Sequence, residues 1–300
     1  MRQEHCIAGI TDLHLFTSLK KAGVTKFMDN KNKFRNNKNH TFTGDDAFII
    51  YEDEEPWEQV KQILSIEKPD ENERPVYSSD VILSIFSHDE LLKADYIKLS
   101  TNHVTQYPQP EGGVGGRDYY PLTMDNSGCR RCFRGFFQIN PYRITREPGW
   151  RGNNHFFSLW IGDALFIKKE TWRQYFEPLG IEAFPVLKGA RGLSELQTVV
   201  QLKIDKISDY PLGLESYEHL DMEEYDICQK CGCKRYSRLM RGPFPNFKGD
   251  TDALIFKTQE YFGAGGVSEK YIIIKPEVYR LLYENNLTKN LDFEVMGELK

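Results

Sequence analysis

The chain has 300 residues, 40% of them hydrophobic and 28% charged, with a formal net charge of −5. Such a composition suits a folded protein with a sizeable core and excludes a disordered chain. No run of about 18 apolar residues occurs, so no helical membrane span is expected, and the net acidity argues against a general nucleic-acid binder.

The opening residues Met1 to Cys6 lack the apolar core of an export signal. The expectation is therefore cytoplasm, where thiols stay reduced and paired cysteines mean metal or redox chemistry more often than disulfides. Asp29 to His40, rich in Asn, favours turns and reads as a loop. Phe48 to Tyr51 reads as a buried strand, and Trp57, Val60, Ile63 and Leu64 are spaced as one face of a helix over Trp57 to Ile66. Pro69 to Pro75 reads as a charged linker. A strand is expected from Asp80 to Phe86, a helix from Asp89 to Ala94 behind a Ser87/Glu90 capping box, and a strand from Tyr96 to Leu99. From Glu52 to Glu90 twelve residues are acidic and three basic, a net of −9 that suits a basic partner.

Tyr107 to Gly116 is rich in Pro and Gly. No strand leads into it and no Lys-Ser/Thr follows, so it reads as a flexible connection rather than a phosphate loop. It marks the expected boundary between a small amino-terminal α/β module, residues 1–106, and the remainder, 107–300. The fold class expected for the whole is α+β.

The remainder carries Cys129-Arg130-Arg131-Cys132 and, 95 residues later, Cys228-Gln229-Lys230-Cys231-Gly232-Cys233. Two residues between cysteines let a tight turn aim both sulfurs at one metal ion, and tetrahedral zinc wants two such turns. The expectation is one structural Zn²⁺ held by Cys129, Cys132, Cys228 and Cys231. Spacing alone leaves open Cys233 in place of Cys231. Cys6, isolated in sequence, is expected to be neither ligand nor nucleophile. Both turns lie in basic sequence: six Arg and one Glu from Cys129 to Arg151, six basic and no acidic residues from Lys230 to Lys248. These cations would offset the net −2 of a four-thiolate zinc site.

A repeat follows the cysteines. Ile167-Lys168-Lys169-Glu170-Thr171-Trp172-Arg173 and Ile274-Lys275-Pro276-Glu277-Val278-Tyr279-Arg280 share Ile-Lys-x-Glu-x-aromatic-Arg, each joining a strand to a helix. Each then leads to a strand, Phe184-Pro185-Val186 or Phe293-Glu294-Val295. An internal duplication is expected, with halves near 107–205 and 206–300, each contributing one zinc knuckle and one strand-helix-strand. The apolar run Leu196 to Ile204 is expected to sit centrally in a sheet.

These paired Cys-x-x-Cys elements, the second continuing into Gly232, and the segments after them resemble the bacterial double-CXXCG motif family. The resemblance covers roughly Tyr107 to the carboxyl end, and Phe133 departs from it where the motif has Gly. It implies an immunity protein, without catalysis, that neutralises a cognate toxin delivered between cells. No His-Glu-x-x-His, Gly-x-Ser-x-Gly or Walker-type loop occurs, and His155 and His219 are the histidines nearest the two Cys pairs. Asp163 reads as a turn residue rather than an active carboxylate. The alternative is nucleic-acid binding through Arg interleaved with Phe133, Phe136, Phe137, Tyr142 and Trp150, a mixture that single strands favour.

Overall fold

A computed structural model describes residues 1–10, 13–28, 34–36, 46–66, 79–112, 117–161, 163–189, 194–214, 225–237, 242–263 and 269–298. The fold is α+β, and the chain divides into two compact units.

The first unit comprises Met1–Ser87 with Met240–Gly242. Its elements are β1 (Arg2–Ile10), α1 (Leu13–Lys21), β2 (Lys26–Met28), β3 (Phe34–Asn36), β4 (Asp46–Tyr51), α2 (Trp57–Ile66) and β5 (Ser79–Ile85). The strands form an antiparallel sheet in the order β3-β2-β4-β1-β5. Setting β3 aside, this is the β-α-β-β-α-β arrangement of ferredoxin-like folds. The helices bury Leu15, Phe16 and Leu19, and Trp57, Val60 and Leu64, against Ile7, Ile10, Phe27, Phe48 and Ile50 of the sheet. The helix expected over 57–66 is α2. The Asn-rich segment, expected as a loop, instead contains β3, which pairs with β2. Its other residues, the 69–75 linker and residues 113–116 lie outside the described residues.

The second unit comprises His88–Leu239 and Pro243–Lys300. In order it holds α3 (His88–Lys93), β6 (Tyr96–Thr101), α4 (Tyr120–Thr123), β7 (Arg143–Ile144), β8 (Phe156–Phe157), β9 (Phe166–Lys168), α5 (Lys169–Thr171), β10 (Ala183–Lys188) and β11 (Glu195–Leu202). There follow β12 (Tyr225–Ile227), β13 (Lys234–Tyr236), β14 (Ile255–Lys257), β15 (Tyr261–Phe262), β16 (Ile272–Ile274), α6 (Pro276–Glu284) and β17 (Leu291–Met296).

Two of its sheets share one wiring: β7-β10-β11-β9-β8 and β14-β16-β6-β17. In the first, β9 and β10 flank β11, both antiparallel to it, with β8 outside β9. In the second, β16 and β17 flank β6, both antiparallel to it, with β14 outside β16. Each strand-helix-strand is thus split by a strand from elsewhere in the chain. Past each central strand the chain crosses to the other half. Ser158 N–H donates to His103 O (2.9 Å) and Thr105 N–H to Ser158 O (3.1 Å), while Lys257 N–H donates to Lys206 O (2.9 Å) and Ser208 N–H to Lys257 O (2.8 Å). The run from Leu196 is central as expected.

This wiring moves the boundary expected at 106/107. The first unit ends at Ser87, because β6 spends its hydrogen bonds on β16 and β17 in the second unit. The expected second half, 206–300, is likewise incomplete without β6. The repeat itself is also shifted. Sequence matches Phe184 to Phe293, but Phe184 stands opposite Gln201 where Glu294 stands opposite Lys98, one residue out of step. A register irregularity between Pro185 and Leu187 accompanies the slip, and Pro185 has no N–H to give a ladder. The two helices differ as well. α6 is a regular helix opened by Pro276, whereas α5 passes into a π turn at Trp172–Phe176 and a 3-10 turn at Glu177–Leu179.

Candidate metal centre

Both Cys-x-x-Cys elements fold into the same turn. Cys129 N–H donates to Arg134 O (2.8 Å) and Phe133 N–H to Cys129 O (2.7 Å); Cys228 N–H donates to Cys233 O (3.0 Å) and Gly232 N–H to Cys228 O (2.8 Å). The residue after the second cysteine turns the chain through the left-handed region, at φ 56° for Phe133 and 71° for Gly232. The second turn is carried by the β12–β13 hairpin.

The turns meet. The sulfurs of Cys129, Cys132, Cys228 and Cys231 all lie within 4.8 Å of one another. Cys129 Sγ is 3.9 Å from Cys228 Sγ, and Cys132 Sγ is 3.5 Å from Cys231 Sγ. Each cysteine therefore faces its own counterpart, as a local twofold axis would arrange it. Zinc–thiolate bonds of about 2.3 Å in a tetrahedron put sulfurs roughly 3.8 Å apart. The set fits a metal ion, and these separations are far beyond a disulfide bond of about 2.05 Å. Four thiols close a tetrahedral shell. Cys132 and Cys228 are buried, Cys129 is half-buried and Cys231 is exposed. Cys233 stands outside the group, in the place Arg134 takes in the first turn, and Cys6 lies on β1 of the other unit.

The turn geometry sets the acidity of the thiols. The backbone N–H groups of Cys132 and Arg131 point at Cys129 and hold its pKa down at about 6. Those of Lys230 and Cys231 lower Cys228 in the same way. Burial, with help from the neighbouring Cys231 thiol, pushes Cys132 up to about 12. Cys231 feels a lowering N–H from Cys233, but desolvation and the thiols of Cys228 and Cys129 leave it raised.

Cations and a ring pack beside the turns. Arg134 is 8% exposed, with its guanidinium 5.2 Å from the Tyr261 ring centre and Nη1 donating to Phe133 O (2.8 Å). Tyr261 Oη accepts the Gly135 N–H at 3.2 Å, and Lys270 Nζ sits 4.4 Å from the same ring. Burial lowers the Lys270 ammonium to about 8. Arg130, Arg131 and Lys230, at the tips of the turns, are exposed. Sequence reasoning singled out neither Tyr261 nor Lys270. Tyr261 arrives through the parallel pairing of β15 with β13, which leaves no local signal.

The aromatic residues in the Arg-rich stretch are largely committed to packing. Tyr142 is buried, Phe133 lies 3.6 Å below the Arg117 guanidinium, Phe136 packs edge-on to Tyr120, and Trp150 donates to Thr198. Phe137, 63% exposed, is the exception among those five. His155 Nδ1 is 2.7 Å from Thr171 Oγ1, Asp163 lies 3.5 Å from Lys257 Nζ, and His219 lies outside the described residues.

No protein-family model matches the chain, and no curated protein matches it.

Proposed function

We propose that the four cysteines hold one structural zinc ion in a binding protein without catalysis of its own. Its role is that of a bacterial immunity protein, acting in the cytoplasm on one cognate toxin. The observation that carries the reading is the closure of two distant Cys-x-x-Cys turns into a single four-thiol set. Four protein ligands fill a tetrahedral ion and leave no position for water or substrate, which favours a structural over a catalytic metal. Thiolate-rich tetrahedral sites suit zinc or iron, so elemental analysis decides between them, with about one zinc per chain expected. The shared wiring of the two halves is what descent from one duplicated unit would leave.

The acidic stretch from Glu52 supports a basic partner less than its sequence charge implies. Glu52 meets His5 at 2.8 Å, Asp53 meets Arg2 at 2.7 Å, and Glu58 meets Lys61 at 2.8 Å. The nucleic-acid alternative is weakened in a similar way, since most of its aromatic residues are packed. The test is co-expression with a toxin domain encoded at the same locus. Survival of the cells and a stable purified complex are expected. Cell death with no complex formed would end the immunity reading.

A further inference from the structure

We infer that Cys231 is an oxidation site at which a hydroperoxide starts the replacement of the metal by a disulfide to Cys132. The inference rests on the metal reading above, and on two features of the site. Cys231 is the exposed member of the four, while Cys132 and Cys228 are buried. A bound metal would hold all four as thiolates, so exposure separates them and an oxidant from solvent reaches Cys231 first. The sulfur placed to answer is the one across the local twofold, Cys132 Sγ at 3.5 Å. Cys233, although two residues away, lies outside the group, with its Sγ 3.5 Å from Lys234 O.

The steps balance. The Cys231 thiolate attacks the hydroperoxide, the O–O bond breaks, and the sulfur loses two electrons to become a sulfenic acid as an alkoxide or hydroxide leaves. The Cys132 thiolate then attacks that sulfur, the S–O bond breaks, and hydroxide leaves. In sum, two thiolates, one hydroperoxide and two protons give one disulfide, one water and one alcohol or second water. Cys129 and Cys228 would then be the two thiolates left, too few to close a tetrahedral shell, so a metal held by the four would be released to water. The new bond joins segments 99 residues apart, as the metal did. A bond within one turn, Cys228 to Cys231, would instead untie them. Oxidation at this site thus exchanges one tie between the halves for another.

The experiment uses the full metal-loaded chain, with metal content measured first, then limiting hydrogen peroxide. Sulfenic acid is trapped with dimedone in one arm, and unreduced peptides are mapped in the other. Expected are at least about tenfold more label on Cys231 than on the other three ligands, as its exposure dictates, and a Cys132–Cys231 peptide that accumulates as metal is released. The Cys233→Ser variant should give the same product. A dominant Cys228–Cys231 or Cys231–Cys233 bond, first labelling at Cys129, or loss of the product in Cys233→Ser would each overturn the inference. A chain that carries no metal at the outset would sink the structural-metal reading separately, and the mapping would still report which sulfurs pair.

Discussion

Phe133 and Gly232 occupy the same place in the two Cys-x-x-Cys turns, at φ 56° and 71°. The left-handed backbone costs a residue with a side chain about 1–2 kcal/mol, and glycine almost nothing. The second half meets the demand with glycine, at a spot where an added Cβ would touch nothing within 4 Å. The first half keeps Phe133 and sets its ring below Arg117 at 3.6 Å and edge-on to Tyr120 at 5.7 Å. The central strands differ in the same manner. Gln201 and Gln138 exchange two amide hydrogen bonds of 2.7 and 2.8 Å. At the equivalent place Lys98 pairs with Glu294 at 2.8 Å, its Nζ 4.5 and 4.2 Å from the rings of Phe244 and Tyr271. Backbone geometry is common to both halves, in the turns that gather the four sulfurs and in the sheets. Side chains were free to satisfy it in separate ways.

The largest expected effect tests whether the two turns share one metal. Cys129→Ser combined with Cys132→Ser should leave no metal on the chain, although Cys228 and Cys231 remain. The loss of stability should reach several kcal/mol, given structural zinc energies on the order of 10 kcal/mol. Cys233→Ser should retain about one metal ion per chain, as the second turn needs only Cys228 and Cys231. Full metal retention by the double variant would show that the halves bind independently. Acidity gives a second handle. With its pKa pushed up to about 12, Cys132 still carries its proton at neutral pH in the metal-free chain, so binding must expel it. Chelator competition should therefore weaken affinity about tenfold per pH unit lowered for each proton so expelled. Affinity that does not change from pH 8 to pH 6 would contradict this.

A smaller effect contrasts the central strands. Lys98→Ala strands Glu294, whose pKa burial already raises, and should cost roughly 2–3 kcal/mol in denaturant unfolding. Gln201→Ala removes neutral hydrogen bonds and should cost about 1 kcal/mol. Equal losses would mean that the ion pair carries no more than the amide pair.

The smallest effect returns to the turns. Gly232→Ala should destabilise by about 1 kcal/mol through backbone strain alone. Phe133→Gly should fall within about 1 kcal/mol of neutral, because relief of strain offsets the lost cation–π and ring contacts. If Phe133→Gly stabilises as much as Gly232→Ala destabilises, the ring contributes nothing and the comparison fails.

What sequence alone determined here was local. Period and punctuation placed α2 over Trp57–Ile66 and put strands close to 48–51, 80–86 and 96–99, because burying one face of a helix or strand leaves its spacing in neighbouring residues. The Cys-x-x-Cys turns were legible for the same reason, as a knuckle is closed within six residues. Tertiary structure decided the rest. Tyr96 to Leu99 reads as an apolar strand, but nothing in it says that its ladder runs to Ile272–Ile274 and Leu291–Met296 rather than to the strands before it. Strand partners are chosen by distant packing, and here that choice moved a domain boundary. Which cysteines come together was decided likewise. Cys231 and Cys233 both satisfied the spacing until the left-handed turn at Gly232 placed Cys231 with the other three sulfurs and carried Cys233 past them.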